Sequence, residues 1–142
     1  LVGASEWTPA RQALLIESLK RRSRPLYVAN PDLLAPQQVG YSTEPGTYAH
    51  QIQNETGVEP VFYGKPYGNI FALAIERLQH ETELDPGRVL MVGDTLHTDI
   101  LGGQAAGLHT ALVTRTGVLA DMDIDAAIQT SGIAPDWILD QA

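Results

Sequence analysis

Hydrophobic and polar positions along this chain switch between a helical period and short unbroken apolar runs. Residues 4–22, ASEWTPARQALLIESLKRR, place Leu15, Ile16 and Leu19 on one face, and the spacing predicts a helix. Thr8 is its expected cap and Pro9 its first residue, since a proline there lacks only an N–H that the helix cannot use. PLYVAN (25–30) reads as a short strand, bounded by Pro25 and by Asn30-Pro31-Asp32. Residues 33–46, with two prolines and two glycines, read as a loop. TYAHQIQNETG (47–57) predicts a helix closed by Gly57, and PVFYG (60–64) a strand. In 67–81, Ile70, Leu73, Ala74 and Leu78 recur at helical spacing. RVLMVG (88–93) shows no polar alternation, as expected of a strand covered on both faces. TDILGGQAAG (98–107) predicts a helix whose small residues allow close packing, and HTALVT (109–114) another buried strand. DMDIDAAIQ (121–129) reads as an acidic loop or short helix, and DWIL (136–139) as a last strand. Strands alternating with helices predict an α/β fold, a Rossmann-like parallel sheet with helices on both faces.

Composition narrows the class. The 142 residues are enough to bury a core, and 44% apolar with 18% charged residues is ordinary for a globular protein. No apolar run is long enough to cross a membrane, and the N-terminus lacks a signal pattern, so no membrane association is expected. The chain has no cysteine, which excludes disulfides and agrees with a cytoplasmic location. A net charge of −8 argues against nucleic acid as a partner. That charge is uneven: residues 1–36 hold five Lys/Arg against three Asp/Glu, and residues 37–142 hold four against fourteen. The shift falls inside the loop at 33–46 and predicts two structural units, 1–36 and 37–142. The basic run Lys20 to Arg24 reads as a solvated helix end rather than a phosphate site. LVG at residues 1–3 resembles the tail of a strand, so the chain reads as a piece of a longer one. Oligomeric state is not readable from these features.

Two polar clusters stand at the carboxyl ends of expected strands, Gly64-Lys65-Pro66 and Gly93-Asp94-Thr95, the edge where open α/β sheets bind ligands. Lys65 and Asp94 are 29 residues apart, about one strand-helix-strand unit, which predicts neighbouring strands facing one crevice. A carboxylate at the position of Asp94 is partly withdrawn from water, and Mg²⁺ is a natural partner for it. Asp99, five residues on, falls in the first helical turn and can reach back toward Asp94. Lys65 offers a point charge for a phosphoryl group. It is not a Walker lysine, because Pro66 replaces the required Ser or Thr. His97 is read as an exposed histidine at the helix start. The bland alternatives are a turn-forming Asp94, a helix-start Asp99 and a surface Lys65. Their coincidence at one edge favours a site.

FYGKP followed by VGDTLHTDILGGQAAG resembles the haloacid-dehalogenase-like (HAD) superfamily, chiefly Mg²⁺-dependent phosphatases. ANPD, a Gly-rich loop and a helix ending TG are similar to subfamily IIA, the nitrophenyl-phosphatase-like and nucleotide phosphatases with a cap inserted in the core. The resemblance covers nearly the whole chain and makes it the C-terminal portion of such an enzyme. Residues 1–36 would be the last part of the cap, and 37–142 the C-terminal part of the core. The resemblance implies that Asp94 binds Mg²⁺. Asp99 would support the metal directly or through water, and Lys65 would stabilise the nucleophilic aspartate and the phosphoryl group. Asn30 and Asp32 would line the cap-core cleft and contact substrate. The family's N-terminal DxDGT motif, which supplies the nucleophile and the general acid/base, has no counterpart here. The DxD of Asp121 to Asp125 lies after the metal motif and has Ala126 where glycine is expected. The implied activity is phosphomonoester hydrolysis through an aspartyl-phosphate, on a small phosphorylated metabolite. The implied partner is the missing N-terminal half, without which the chain would be inactive. A non-catalytic regulatory module and an inactive fragment are the other readings. A phosphorylation receiver domain is remoter, since its lysine usually follows the aspartate.

Overall fold

The computed structural model describes residues 1–81 and 83–141. They form an α/β fold with parallel strand pairing in two compact units, Leu1–Gly64 and Lys65–Ala142. The charge shift places a boundary near residue 36. The compact units divide between Gly64 and Lys65, and the strand at PLYVAN pairs with a strand that comes after residue 36.

In the first unit, helix α1 (Pro9–Arg21) starts as its sequence predicts. The Arg11 N–H donates to the Thr8 hydroxyl at 3.2 Å, and Pro9 occupies the first turn. Its buried residues, Ile16 and Leu19, pack with Leu26 and Val28 of β1 (Leu26–Val28) and with Ala49 and Ile52 of α2 (Pro45–Thr56). β1 pairs in parallel with a strand at Pro60–Phe62, with Tyr27 opposite Val61. The α-amino group of Leu1 donates to the Tyr27 carbonyl, so the chain's first residue runs beside β1.

One expectation fails here. Residues 33–46 are not simply loop: β2 (Leu34–Pro36) and β3 (Tyr41–Thr43) form an antiparallel hairpin, with Ala35 opposite Ser42. Three-residue strands are too short to show a period, and the Gln37 N–H to Gly40 carbonyl bond that turns the chain leaves no apolar signature. α2 ends at Gly57, whose N–H donates to the Gln53 carbonyl at 2.8 Å. The strand at Pro60–Phe62 is β4.

In the second unit, α3 (Gly68–Glu81) is followed by three parallel strands in the order β5 (Leu90–Gly93), β6 (His109–Val113) and β7 (Trp137–Leu139). A π-helical turn at Leu96–Ile100 runs into the short α4 (Leu101–Ala105), joining β5 to β6. α5 (Ile124–Ser131) joins β6 to β7, and the Asp123 carboxylate caps it by accepting from the Ala126 N–H at 3.0 Å. The acidic stretch therefore works as a helix start. Small residues pack as expected: a methyl on Gly102 would come 2.5 Å from the Phe71 ring, and one on Gly103 would come 2.9 Å from the Met91 Cβ.

The unbroken apolar run of β5 predicts burial on both faces, and within these 142 residues it is only partly covered. Leu90 is 45% and Val92 41% exposed, while Ala111, Leu112 and Val113 of the central β6 are buried. Leu112 packs with Leu96, Ile100, Leu119 and Ile133 in the core of this unit. Among the described residues no helix is long and apolar enough to cross a membrane.

Candidate active site: an aspartate pair and a lysine at a strand end

β5 ends at Gly93, and the chain turns at Asp94 and Thr95 into the π-helical turn. The wide first turn brings Asp99 back over the end of the strand. Its Oδ2 accepts from the Asp94 N–H at 3.0 Å and the Thr95 N–H at 3.2 Å. Its Oδ1 accepts from the Lys65 ammonium at 2.5 Å. Asp99 is only 2% exposed, so its charge is balanced by one cation and two peptide dipoles. Gly93 is required by this packing, since a methyl there would occupy the space of the Asp99 carboxyl group. An irregular turn at a candidate site agrees with the frequent placing of π-turns at functional positions.

Lys65 arrives by a different route from the one its spacing predicts. β4, the strand before it, is hydrogen-bonded to β1, and Lys65 begins the second unit on the turn that leads into α3. Its side chain is 48% exposed. It also lines a cavity of about 230 Å³ with Phe71, Ile75, Leu90 and Met91, a division between apolar stem and polar head that suits lysine.

Asp94 is held differently from Asp99. Its backbone N–H is fixed by Asp99, and its carboxylate is half-buried, with the Thr95 hydroxyl donating to Oδ1 at a long 3.4 Å. Among the described residues that long bond is the one hydrogen bond to the Asp94 carboxylate, whereas both Asp99 oxygens accept from protein donors. Among the described residues there is no group of three His, Cys, Asp or Glu that could hold a metal. The donor set fits a Mg²⁺ site in part: one carboxylate from Asp94, with further oxygens required from elsewhere.

The structure brings together Lys65, Asp94 and Asp99, as their pattern predicts. Asn30 and Asp32 belong to the first unit. There the Asn30 carbonyl oxygen accepts from the Asp32 N–H at 3.0 Å, and its amide donates to Glu44 at 3.3 Å. Glu44 also accepts from the Ser42 hydroxyl at 2.6 Å. Asn30 thus closes the turn between β1 and β2. His97 is exposed, as expected, and lines an apolar cavity of about 550 Å³ with Val118, Leu119 and Met122. Gly117, in the loop after β6, is not among the residues the sequence singles out, yet its α-carbon lies against the Asp94 carboxylate. A glycine following a buried strand was the one signal available for it.

The family profile described as "HAD-hyrolase-like" matches residues 62–141. The chain is 35% identical over 127 residues to an acid sugar phosphatase of Staphylococcus aureus, which covers 89% of this chain and 46% of that protein. A possible sugar phosphatase of the HAD superfamily from Cytophaga hutchinsonii superposes with a TM-score of 0.82 at 32% identity, over 99% of this chain and 51% of that one. The p-nitrophenyl phosphatase of Archaeoglobus fulgidus gives a TM-score of 0.82 at 28% identity, over 99% and 53%. The chain thus spans about half the length of the relatives it matches. With its strand-end aspartate, ion-paired second aspartate and lysine, the chain belongs to the haloacid-dehalogenase-like hydrolase family.

Proposed function

We propose that these residues are one half of the active site of a Mg²⁺-dependent phosphomonoester hydrolase acting on a small phosphorylated metabolite. The observation that carries the reading is the Lys65–Asp99 pair, set 2.5 Å apart beside a strand-end Asp94 whose carboxylate, among the described residues, accepts only a long bond. Asp94 would hold Mg²⁺. When bound, that ion would draw charge from the phosphoryl oxygens and from the attacking group. Lys65 would neutralise a second part of the same charge, and its ammonium is aimed by Asp99. Asp99 would serve the metal indirectly, by fixing the Asp94 backbone and the lysine, or through a water. Asn30 and Asp32 would contribute substrate contacts from the cap, with Asn30 shaping the loop that carries Asp32.

The nucleophile we assign to an aspartate outside these 142 residues, in the N-terminal half of the parent protein. Its carboxylate oxygen would attack phosphorus, the ester oxygen would leave with a proton, and water would then cleave the acyl phosphate. The first compact unit would be the end of the cap and the second the C-terminal part of the core. That reading moves the boundary from residue 36 to residue 64, where the compact units divide.

The test is turnover of p-nitrophenyl phosphate with Mg²⁺. The purified 142-residue chain is expected to show negligible turnover, and the intact protein containing it measurable turnover that Asp94→Ala abolishes. Turnover by the isolated chain that Asp94→Ala removes would overturn the half-site assignment. An intact, folded protein inactive on every small phosphomonoester tried would overturn the phosphatase reading itself.

A further inference from the structure

We infer that Gly117 is the wall that sets the position of the Asp94 carboxylate. Gly117 sits on the loop after β6 with φ +82°, a conformation that disfavours any side chain. A methyl built on its α-carbon would overlap Asp94 Oδ2 and lie 2.5 Å from Cγ and 2.8 Å from Cβ. The loop cannot simply retreat. On one side the Thr114 and Arg115 N–H groups donate to the Leu139 and Asp140 carbonyls, both at 3.0 Å. On the other side Leu119 is buried in the core of the unit with Leu96, Ile100 and Leu112. Asp94 is equally constrained from behind, because its own N–H donates to Asp99. Its carboxylate therefore occupies a slot between the Thr95 hydroxyl and the α-carbon of Gly117.

Gly117 itself offers no group to a ligand, so it is a positioning residue. Its consequence for metal binding rests on the role proposed above for Asp94. The contact between the two residues does not depend on that role. Gly107 supplies an internal control. It has a similar φ of +74°, yet a methyl there would meet nothing within 4 Å. Alanine at either position carries the same backbone strain, and only at residue 117 does it collide with Asp94.

The experiment measures the three-bond carbon and nitrogen couplings that report χ1 of Asp94 in the labelled 142-residue chain. One rotamer is expected in the unsubstituted chain and in Gly107→Ala, and a changed or averaged rotamer in Gly117→Ala. A folded Gly117→Ala chain that keeps the original Asp94 rotamer overturns the inference. Should Gly117→Ala unfold, the same substitution is made beside Asp94→Gly. Its effect on the folding equilibrium constant is then expected to shrink by about tenfold, as coupled neighbours require. An undiminished effect in that background also overturns it. In the intact protein, Gly117→Ala is expected to raise the Mg²⁺ concentration for half-maximal p-nitrophenyl phosphate turnover, with Gly107→Ala unchanged. If the unsubstituted intact protein shows no turnover, the phosphatase reading falls, and the Asp94 couplings alone decide the role of Gly117.

Discussion

Asp99 holds three partners at once, and they differ in what they lose with it. The Asp94 and Thr95 N–H groups stand at a strand end with Asp99 Oδ2 as their acceptor, while the Lys65 side chain is half exposed. Removing the carboxylate strands two peptide donors, whereas removing the lysine leaves Asp99 with both. Asp99→Ala is therefore expected to destabilise the chain by about 3 kcal/mol, an unpaired-donor effect. Lys65→Met is expected to cost less, about 2 kcal/mol, because the buried Asp99 loses its cation but keeps both peptide donors. Urea denaturation of both variants checks the order. If Lys65→Met proved the more damaging, the ammonium, rather than the peptide dipoles, would be what holds Asp99. Much at this scale was legible in advance. Asp94, Asp99 and Lys65 stand out because acids and a lysine at strand ends are chemically conspicuous. Gly117 was not legible, because a glycine's role is defined by what lies against it.

At the scale of elements, β7 shows what a three-residue strand needs. All its residues are exposed, and Ile138 pairs with Leu112 of β6 at the sheet edge. The residue before it supplies an anchor: the Asp136 carboxylate accepts from the Thr110 N–H at 2.7 Å and the Thr110 hydroxyl at 3.0 Å. These bonds, the backbone one first, hold the Asp136 carboxyl below the usual carboxylate range. Desolvation opposes them and the nearby His109 assists. A carboxyl whose pKa is lower folded than unfolded stabilises the fold above the unfolded value and loses that effect as pH falls through the folded one. Amide protection at Thr110 and Leu139 should thus decline as pH drops below about 3.9, and Asp136→Asn should remove that dependence. The same decline in the Asn variant would show that another group governs it. Element prediction succeeded where signals were long or chemical, as in α1 with its Thr8-Pro9 start. It failed at the β2–β3 hairpin, where three-residue strands carry no periodicity.

The whole molecule has two compact units, each with its own apolar cluster. In the second unit, Leu90, Val92, Trp137 and Ile138 are exposed within these 142 residues, so this chain by itself presents apolar surface. Val92→Thr should change stability by no more than about 0.5 kcal/mol, as for an exposed position, while reducing binding of a hydrophobic dye. A large loss of stability would mean that Val92 is buried in solution, for instance by self-association, which sedimentation would reveal.

Local chemistry determined most of the elements and singled out the candidate site residues. Helix caps, apolar spacing and the bonds from the Asp94 and Thr95 N–H groups to Asp99 depend on neighbours within a turn or two. Tertiary structure alone decided where the units divide, which strands pair, and how Lys65 reaches Asp99. It also decided that Asp99 faces inward to protein donors while Asp94 keeps the open carboxylate against Gly117. Those outcomes depend on atoms far apart in the chain meeting at van der Waals and hydrogen-bond distance, and sequence spacing alone does not encode that relation.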